Sequence, residues 1–268
     1  MYRYHGVLVY QSHDDDGVLE IIEREGVRSL HFGSFSRQSS MRLDAPDNLE
    51  LEYVRTLTSW LLFKPELTEK TLLIGLGGGS ISKFLWQHFP DCHLKVIEYR
   101  ASVVKIAQSH FALPKDARIK IIIDDGGKYV IERQQSQQQH YGLMIVDAFD
   151  HDGMAASTYH REFFEACQAL LKSDGILAIN LWGGTGNPIF QQVALWLGQV
   201  FDWRILFIPV QGRGNIIGLA FNKAVPTYAM ADLKVTAKHL ADRYQIDFPK
   251  YLKEIKKHNS STLKTLIN

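Results

Sequence analysis

Cysteine is nearly absent: Cys92 and Cys167 are the two in a chain of 268 residues. They form no metal-like spacing and fall in predicted core or edge positions, so a reducing compartment is the default. An excess of one charge is missing as well. Lys and Arg number 30 against 29 Asp and Glu, a net charge of +1, which gives no general attraction to nucleic acid or an anionic membrane. No apolar run approaches membrane-spanning length, and Met1-Tyr2-Arg3-Tyr4-His5 carries no apolar signal region. The expectation is a soluble cytoplasmic protein with neither a nucleic acid nor a membrane as partner. What the chain does have is core, at 46% apolar residues, enough for one large domain or a large one with a small appendage.

The chain is organised around Leu72-Leu73-Ile74-Gly75-Leu76-Gly77-Gly78-Gly79-Ser80. The apolar run predicts a buried strand, and the glycines allow a sharp turn into a helix with close backbone approach to a ligand. A helix start offers unpaired N–H groups and a positive dipole end. Strand, glycine turn and helix mark the first βαβ unit of a nucleotide-binding α/β fold.

Ahead of it, Gly6–Tyr10, Gly17–Ile22 and Val27–Phe32 are short β-rich runs divided by turn residues, which predicts a small antiparallel meander. His13-Asp14-Asp15-Asp16 reads as a solvated hairpin turn rather than a metal site. Tyr53, Leu57, Trp60 and Leu61 at helical spacing predict a helix over 48–63, ended by Pro65. Four more strands follow at 94–98, 119–125, 141–147 and 176–182, alternating with helices, which argues for a parallel sheet covered on both faces. The polar patch Gln134–Gln139 is read as an exposed helix end and loop. After a helix at Pro188–Val200, the runs 204–210 and 216–221 are separated by too few residues for a parallel crossover, so they form a hairpin. Residues 228–268 read as helical, without a motif.

In open parallel sheets ligands bind beyond the carboxyl ends of the strands. The polar residues predicted there are Glu98, Asp125 and Asp147, beside Gly75 and Gly77. Glu98 closes the second strand about twenty residues past the glycines, where a carboxylate can accept from two ribose hydroxyls; otherwise it is a solvated strand end. Asp125 precedes Gly126-Gly127 and a short helix, which it caps, or it accepts from an adenine amino group, or both. Asp147 and Asp150, three apart and just past a buried strand, form a pocket for a cationic substrate or a proton acceptor, unless they merely begin a helix.

In this order the residues resemble the spermidine synthase group of polyamine aminopropyltransferases, within the class I adenosylmethionine-dependent methyltransferase folds. The N-terminal meander, Gln38, Tyr53, the glycine turn, Glu98, Asp125-Gly126, Asp147/Asp150 and the closing hairpin carry the resemblance over most of the chain. It implies a Rossmann-like, doubly wound, mostly parallel seven-stranded sheet with an antiparallel last strand. Residues 1–47 would be a β subdomain and 48–268 the catalytic domain. The resemblance implies that Gln38 and Glu98 hold the ribose, Asp125 the adenine, and that Gly75, Gly77 and Gly126 complete the nucleoside site. Asp147 would be the acid–base residue, with Asp150 and Tyr53 holding the amine. The implied co-substrate is decarboxylated S-adenosylmethionine, or S-adenosylmethionine itself, with no metal. The implied acceptor is a small cationic amine such as putrescine, methylthioadenosine is released, and the protein is a homodimer.

The chain departs from the family pattern at three places. Gly78 stands where an aspartate is usual in the glycine motif, His151 replaces the proline after the second aspartate of the loop, and Arg100 replaces an acidic residue. The wording Asp147-Ala148-Phe149 resembles a divergent spermidine synthase-like branch. A carboxylate at position 78 would repel the carboxylate of ordinary adenosylmethionine. Like charges about 4 Å apart cost on the order of 4 kcal/mol at an effective dielectric near 20, so glycine removes a large preference. The alternative expectation is therefore a methyltransferase using ordinary adenosylmethionine on a small amine or other small nucleophile. A nicotinamide oxidoreductase fits poorly, since Ser80 stands where the third spaced glycine or alanine belongs. A nucleoside-binding protein without catalysis is the remaining reading.

Overall fold

The structure, a computed structural model, describes residues 1–150, 153–183 and 188–268. Its N-terminal part is a five-stranded antiparallel sheet in chain order, β1 (Tyr2–Arg3), β2 (Gly6–Asp14), β3 (Gly17–Arg24), β4 (Val27–His31) and β5 (Arg37–Arg42). Two of these strands exceed the expected meander. β1 is two residues long, and β5 has the polar sequence Arg-Gln-Ser-Ser-Met-Arg, whose strand state comes from its ladder with β4 rather than from apolar alternation.

The helix expected over 48–63 starts later and changes form. It is an α-helix, α1 (Glu52–Leu57), followed by a 3₁₀ helix at Thr58–Leu62. Thr56 Oγ1 donates to the Glu52 carbonyl at 2.9 Å and Thr58 Oγ1 to the Arg55 carbonyl at 2.7 Å. Hydroxyls that bond back to the preceding turn compete with the helical ladder, which accounts for the tightening.

The main sheet follows from alternation of strand and helix. β6 (Thr71–Ile74) leads through the glycine turn to α2 (Ser80–His88), then β7 (Leu94–Glu98), α3 (Ala101–His110), β8 (Ile119–Ile123) and α4 (Gly126–Arg133). The third parallel strand thus stops at Ile123, short of the expected 125. The chain continues through β9 (Tyr141–Val146), α5 (Arg161–Leu170), β10 (Leu171–Trp182) and α6 (Pro188–Val200). β10 begins five residues before the expected start, because an irregularity between Leu171 and Ile176 absorbs Ser173-Asp174-Gly175. β11 (Ile205–Pro209) and β12 (Asn215–Phe221) form the closing hairpin, and α7 (Met230–Tyr244) and α8 (Phe248–His258) complete the fold.

The seven strands lie in the order β11-β12-β10-β9-β6-β7-β8, parallel from β10 to β8, with β12 antiparallel to both β10 and β11. Leu73 of β6 packs on one face with Trp60, Val96 and Phe248, while Leu72 and Ile74 pack on the other with Met144, Phe163 and Leu177. Both faces are buried, as near-continuous apolar strands require. The N-terminal sheet does not stand apart. Leu19, Ile21, Leu30 and Met41 share a cluster with Val103, Ile106 and Phe111 on and just beyond α3. β6 lies between β7 and β9, so the strand order reverses at the glycine turn, the position at which such sheets open a crevice.

Candidate active site

Gly75 has φ +90°, and a Cβ there would lie 2.1 Å from the Asp147 carbonyl oxygen. A side chain at this position would force the ends of β6 and β9 apart. With glycine, the Asp147 N–H donates to the Ile74 carbonyl at 2.9 Å. The turn also secures Glu98. The Leu76 N–H donates to its Oε2 at 2.8 Å and the Arg100 N–H to its Oε1 at 2.9 Å. Burial pushes the Glu98 carboxyl above its ordinary range, while these backbone donors and the Arg100 charge partly counter it. The Gly77 N–H also bears on this carboxylate, so three of its roughly four acceptor directions meet the backbone and about one is left for a ligand.

Every candidate residue named from the sequence borders one cavity of about 970 Å³. Gln38 reaches it from β5 and Tyr53 from α1, and Gly75 and Gly77 form its floor beside Glu98. Asp125 and Gly126 enter from the start of α4, where Asp125 caps the helix by accepting from the Lys128 N–H at 2.8 Å. Asp147 and Asp150 close the far side. Carboxylates outnumber guanidinium groups along its walls, which favours a cationic guest.

Gly78 is buried, and a Cβ there would lie 2.6 Å from Ser39 Oγ and 2.8 Å from the Phe111 ring. The nearby cavity wall carries the Ser39 and Ser80 hydroxyls, 3.4 Å apart. Gly78 itself does not line the cavity; its neighbours Ser39 and Ser80, which do, carry no charge.

Asp147 follows the last residue of β9. Asn180 Nδ2 donates to its Oδ1 at 2.8 Å, and the Tyr53 hydroxyl stands beside it. The residue keeps some exposure to the cavity, but its carboxyl is surrounded by protein. Burial raises it to about 6 against these two hydrogen bonds, which pull the other way. The Tyr53 phenol is held well above its usual range by burial and by the adjacent Asp147. The Gln38 carbonyl lies 3.3 Å from the same hydroxyl, a second acceptor competing for its one proton and placing α1 against β5. Asp150 is exposed, and its Oδ1 accepts from the Gly153 N–H at 3.0 Å. His151 lies outside the described residues.

Arg100 has a defined task. Its guanidinium, 8% exposed, pairs with Asp14 at 2.5 Å, donates to the Gly17 carbonyl at 3.0 Å and lies over the Phe32 ring. Ser102 also donates to Asp14. The acidic turn expected to be solvated is thus tied down at Asp14, while Asp15 and Asp16 border the cavity. Sequence reasoning passed over Asn180 and Asn215. The signal was an amide in the apolar run Ile176–Trp182, since a buried polar side chain needs a partner. Among the described residues no cluster of His, Cys, Asp and Glu could hold a metal, and no helix is long and apolar enough to cross a membrane.

Comparison with known proteins agrees with this geometry. The family model for the spermine/spermidine synthase domain matches residues 51–185. A polyamine aminopropyltransferase of Neisseria meningitidis serogroup A is 33% identical over 240 residues, covering 89% of each chain. A probable spermidine synthase from Corynebacterium glutamicum superposes with a TM-score of 0.72 at 18% identity, covering 87% of this chain and 86% of that one. A spermidine synthase in complex with the transition-state analogue AdoDATO gives 0.67 at 18% identity, over 96% of this chain and 88% of that one. At such identities the structures speak for the fold.

Proposed function

The chain belongs to the spermine/spermidine synthase family, and from that premise we propose that it moves an aminopropyl group from decarboxylated S-adenosylmethionine to a small polyamine such as putrescine, releasing methylthioadenosine. The observation that carries this reading is the Asp147 carboxyl, enclosed at the strand-order reversal and about 6, in a cavity rich in acids. In the nucleoside half, Glu98 with Gln38 accepts from the ribose hydroxyls, Asp125 from the adenine amino group, and Gly75, Gly77 and Gly126 let the backbone come close. Asp150 and Tyr53 hold the acceptor. A neutral primary amine attacks the carbon beside the sulfonium; the new C–N bond forms as the C–S bond breaks, and sulfur keeps the electron pair as the thioether of methylthioadenosine.

The proton needs a route. An ammonium near 10 facing a carboxylate near 4 leaves a gap of roughly 6 units, about 8 kcal/mol. With Asp147 at about 6 the gap narrows to about 4 units, on the order of 5.5 kcal/mol, before the sulfonium lowers the amine further. Asp147 therefore orients the amine and takes its proton as the C–N bond forms. In this reading residues 1–47 cover the nucleoside and 48–268 carry the chemistry, in a cytoplasmic homodimer. The test is putrescine-dependent release of methylthioadenosine. Asp147→Asn is expected to lower it at least a hundredfold, and unchanged turnover would remove Asp147 from the role.

The buried Gly78 and its neutral surroundings favour a second reading, a methyltransferase acting on a small nucleophile with ordinary S-adenosylmethionine. Titration with the two sulfonium compounds side by side separates them. Retention of the decarboxylated form alone rules the second reading out.

A further inference from the structure

β10 sits between β9 and β12, so Asn180 lies one strand away from both Asp147 and the first residue of β12. Asn180 registers with Ile217 and Trp182 with Asn215, which makes Asn180 and Asn215 diagonal neighbours across the antiparallel pair. Diagonal side chains on one face are within reach of each other. Asn215 Nδ2 donates to Asn180 Oδ1 at 3.0 Å, and Asn180 Nδ2 donates to Asp147 Oδ1 at 2.8 Å. Asn180 is 4% exposed and half-buried Asn215 borders the cavity, so the chain runs from the turn of the closing hairpin to the enclosed acid.

The direction of this chain is fixed by charge. An ionised carboxylate accepts and never donates, so it must meet the NH₂ side of the Asn180 amide. The Asn180 oxygen then faces Asn215 and requires a donor, which the Asn215 amide supplies. Reversing either amide would set oxygen against oxygen. The groups facing Asp147 are Tyr53 from α1 and Asn180 from β10. Glu98, Asp125, Asp150 and Arg213 border the same cavity from other strand ends, its own loop and the β11–β12 turn.

We propose that Asn180 and Asn215 are positioning residues, which together lock the Asn180 amide so that it holds Asp147 in its ionised form with one oxygen engaged. The catalytic part of this inference rests on the assignment of Asp147 above. The orienting part stands on the hydrogen bonds alone. Asn180 steadies the anion directly, and Asn215 acts by preventing the amide from turning over. Burial alone would leave the acid protonated over more of the neutral range, as the balance of causes at Asp147 indicates.

The experiment is a carboxyl ¹³C titration of Asp147, its signal identified by loss in Asp147→Asn, run beside the pH profile of methylthioadenosine release. Asn180→Leu should move the Asp147 midpoint to higher pH by about one unit, the scale of one hydrogen bond to a charged group. The acidic limb of kcat should move with it, and activity well above the midpoint should largely return. Asn215→Ala should move the midpoint in the same direction by less. Asn215→Asp is the decisive variant. A carboxylate there can only accept, so it turns the Asn180 NH₂ away from Asp147 and should shift the midpoint more than alanine does. Should Asn180→Leu fail to fold, the two Asn215 variants decide. An unmoved Asp147 midpoint in folded Asn215→Ala and Asn215→Asp overturns the proposal. A wild-type protein without putrescine-dependent turnover would instead sink the aminopropyl reading, and the carboxyl titration would still test the chain.

Discussion

At Asp147 function and stability pull in opposite directions. Its carboxyl sits at about 6 in the folded protein against an ordinary 3.8. A raised carboxyl means that the fold disfavours the charged form. Well below pH 3.8 both states are protonated and the residue costs nothing. The cost grows as pH rises through the window between the two values and is complete above it, at up to about 3 kcal/mol. Asp147→Asn keeps an acceptor for the Asn180 amide and removes the charge. It should therefore raise the unfolding free energy at pH 8 by up to about 3 kcal/mol while abolishing turnover, with the gain falling to about 0.5 kcal/mol near pH 4. Urea titrations at the two pH values check this. Gly78 presents the opposite case, a position where the absence of a side chain is enforced by packing. Even a methyl group must displace Ser39 Oγ and the fully buried Phe111 ring. Gly78→Ala is expected to cost about 1–3 kcal/mol, and Gly78→Asp more, because its carboxylate would be buried among neutral groups without a countercharge. A Gly78→Asp protein as stable as wild type would show that the site can accept a charge after all.

Elements differed in how plainly the sequence announced them, and the reasons are physical. α6 at Pro188–Val200 and the parallel strands carry their own signal, a helical apolar period or an unbroken apolar run that tertiary structure then buries on both faces. β5 carries none, since five of its six residues are Arg, Gln or Ser, and its ladder with β4 makes it a strand. The same limit applies to the site. Strand-end acids and the glycine turn are local in sequence, so Glu98, Asp125 and Asp147 could be placed together before any coordinates. The Asn215–Asn180–Asp147 chain joins three strands and is visible only once their register is known. Arg100 and Asp14 join a strand end to a hairpin tip in the same non-local way. Burial alone would raise Asp14, but hydrogen bonds from Arg100 and Ser102 overcome this and hold it below its ordinary value. The contact is thus worth most above pH 4 and is lost as pH falls through the folded value of Asp14. Arg100→Ala should release the β2–β3 turn, seen as faster protease cutting near Gly17, and should raise the KM for the nucleoside several-fold with little change in kcat. Cutting at the wild-type rate would show that the turn is held by Phe32 and backbone contacts instead.

For the whole molecule, the two sheets are joined twice, by an apolar cluster on and beside α3 and by the walls of a single cavity. Leu19, Ile21, Leu30 and Met41 leave the N-terminal sheet to pack on Val103, Ile106 and Phe111, so separating the sheets exposes apolar surface on both. Gln38 and Glu98 face one cavity from opposite sides of that junction. The N-terminal sheet should therefore unfold with the main sheet, as one calorimetric transition rather than two. A ligand that bridges the cavity binds the joined state alone and stabilises it by mass action, by about 2.7 kcal/mol at a hundredfold excess over Kd. Methylthioadenosine should accordingly raise the single transition as its concentration rises. Glu98→Ala should abolish most of the rise, because Glu98 is the acid proposed to meet the ribose. An early separate transition for residues 1–47 would break the mechanical half of this prediction, and an undiminished rise in Glu98→Ala would break the chemical half.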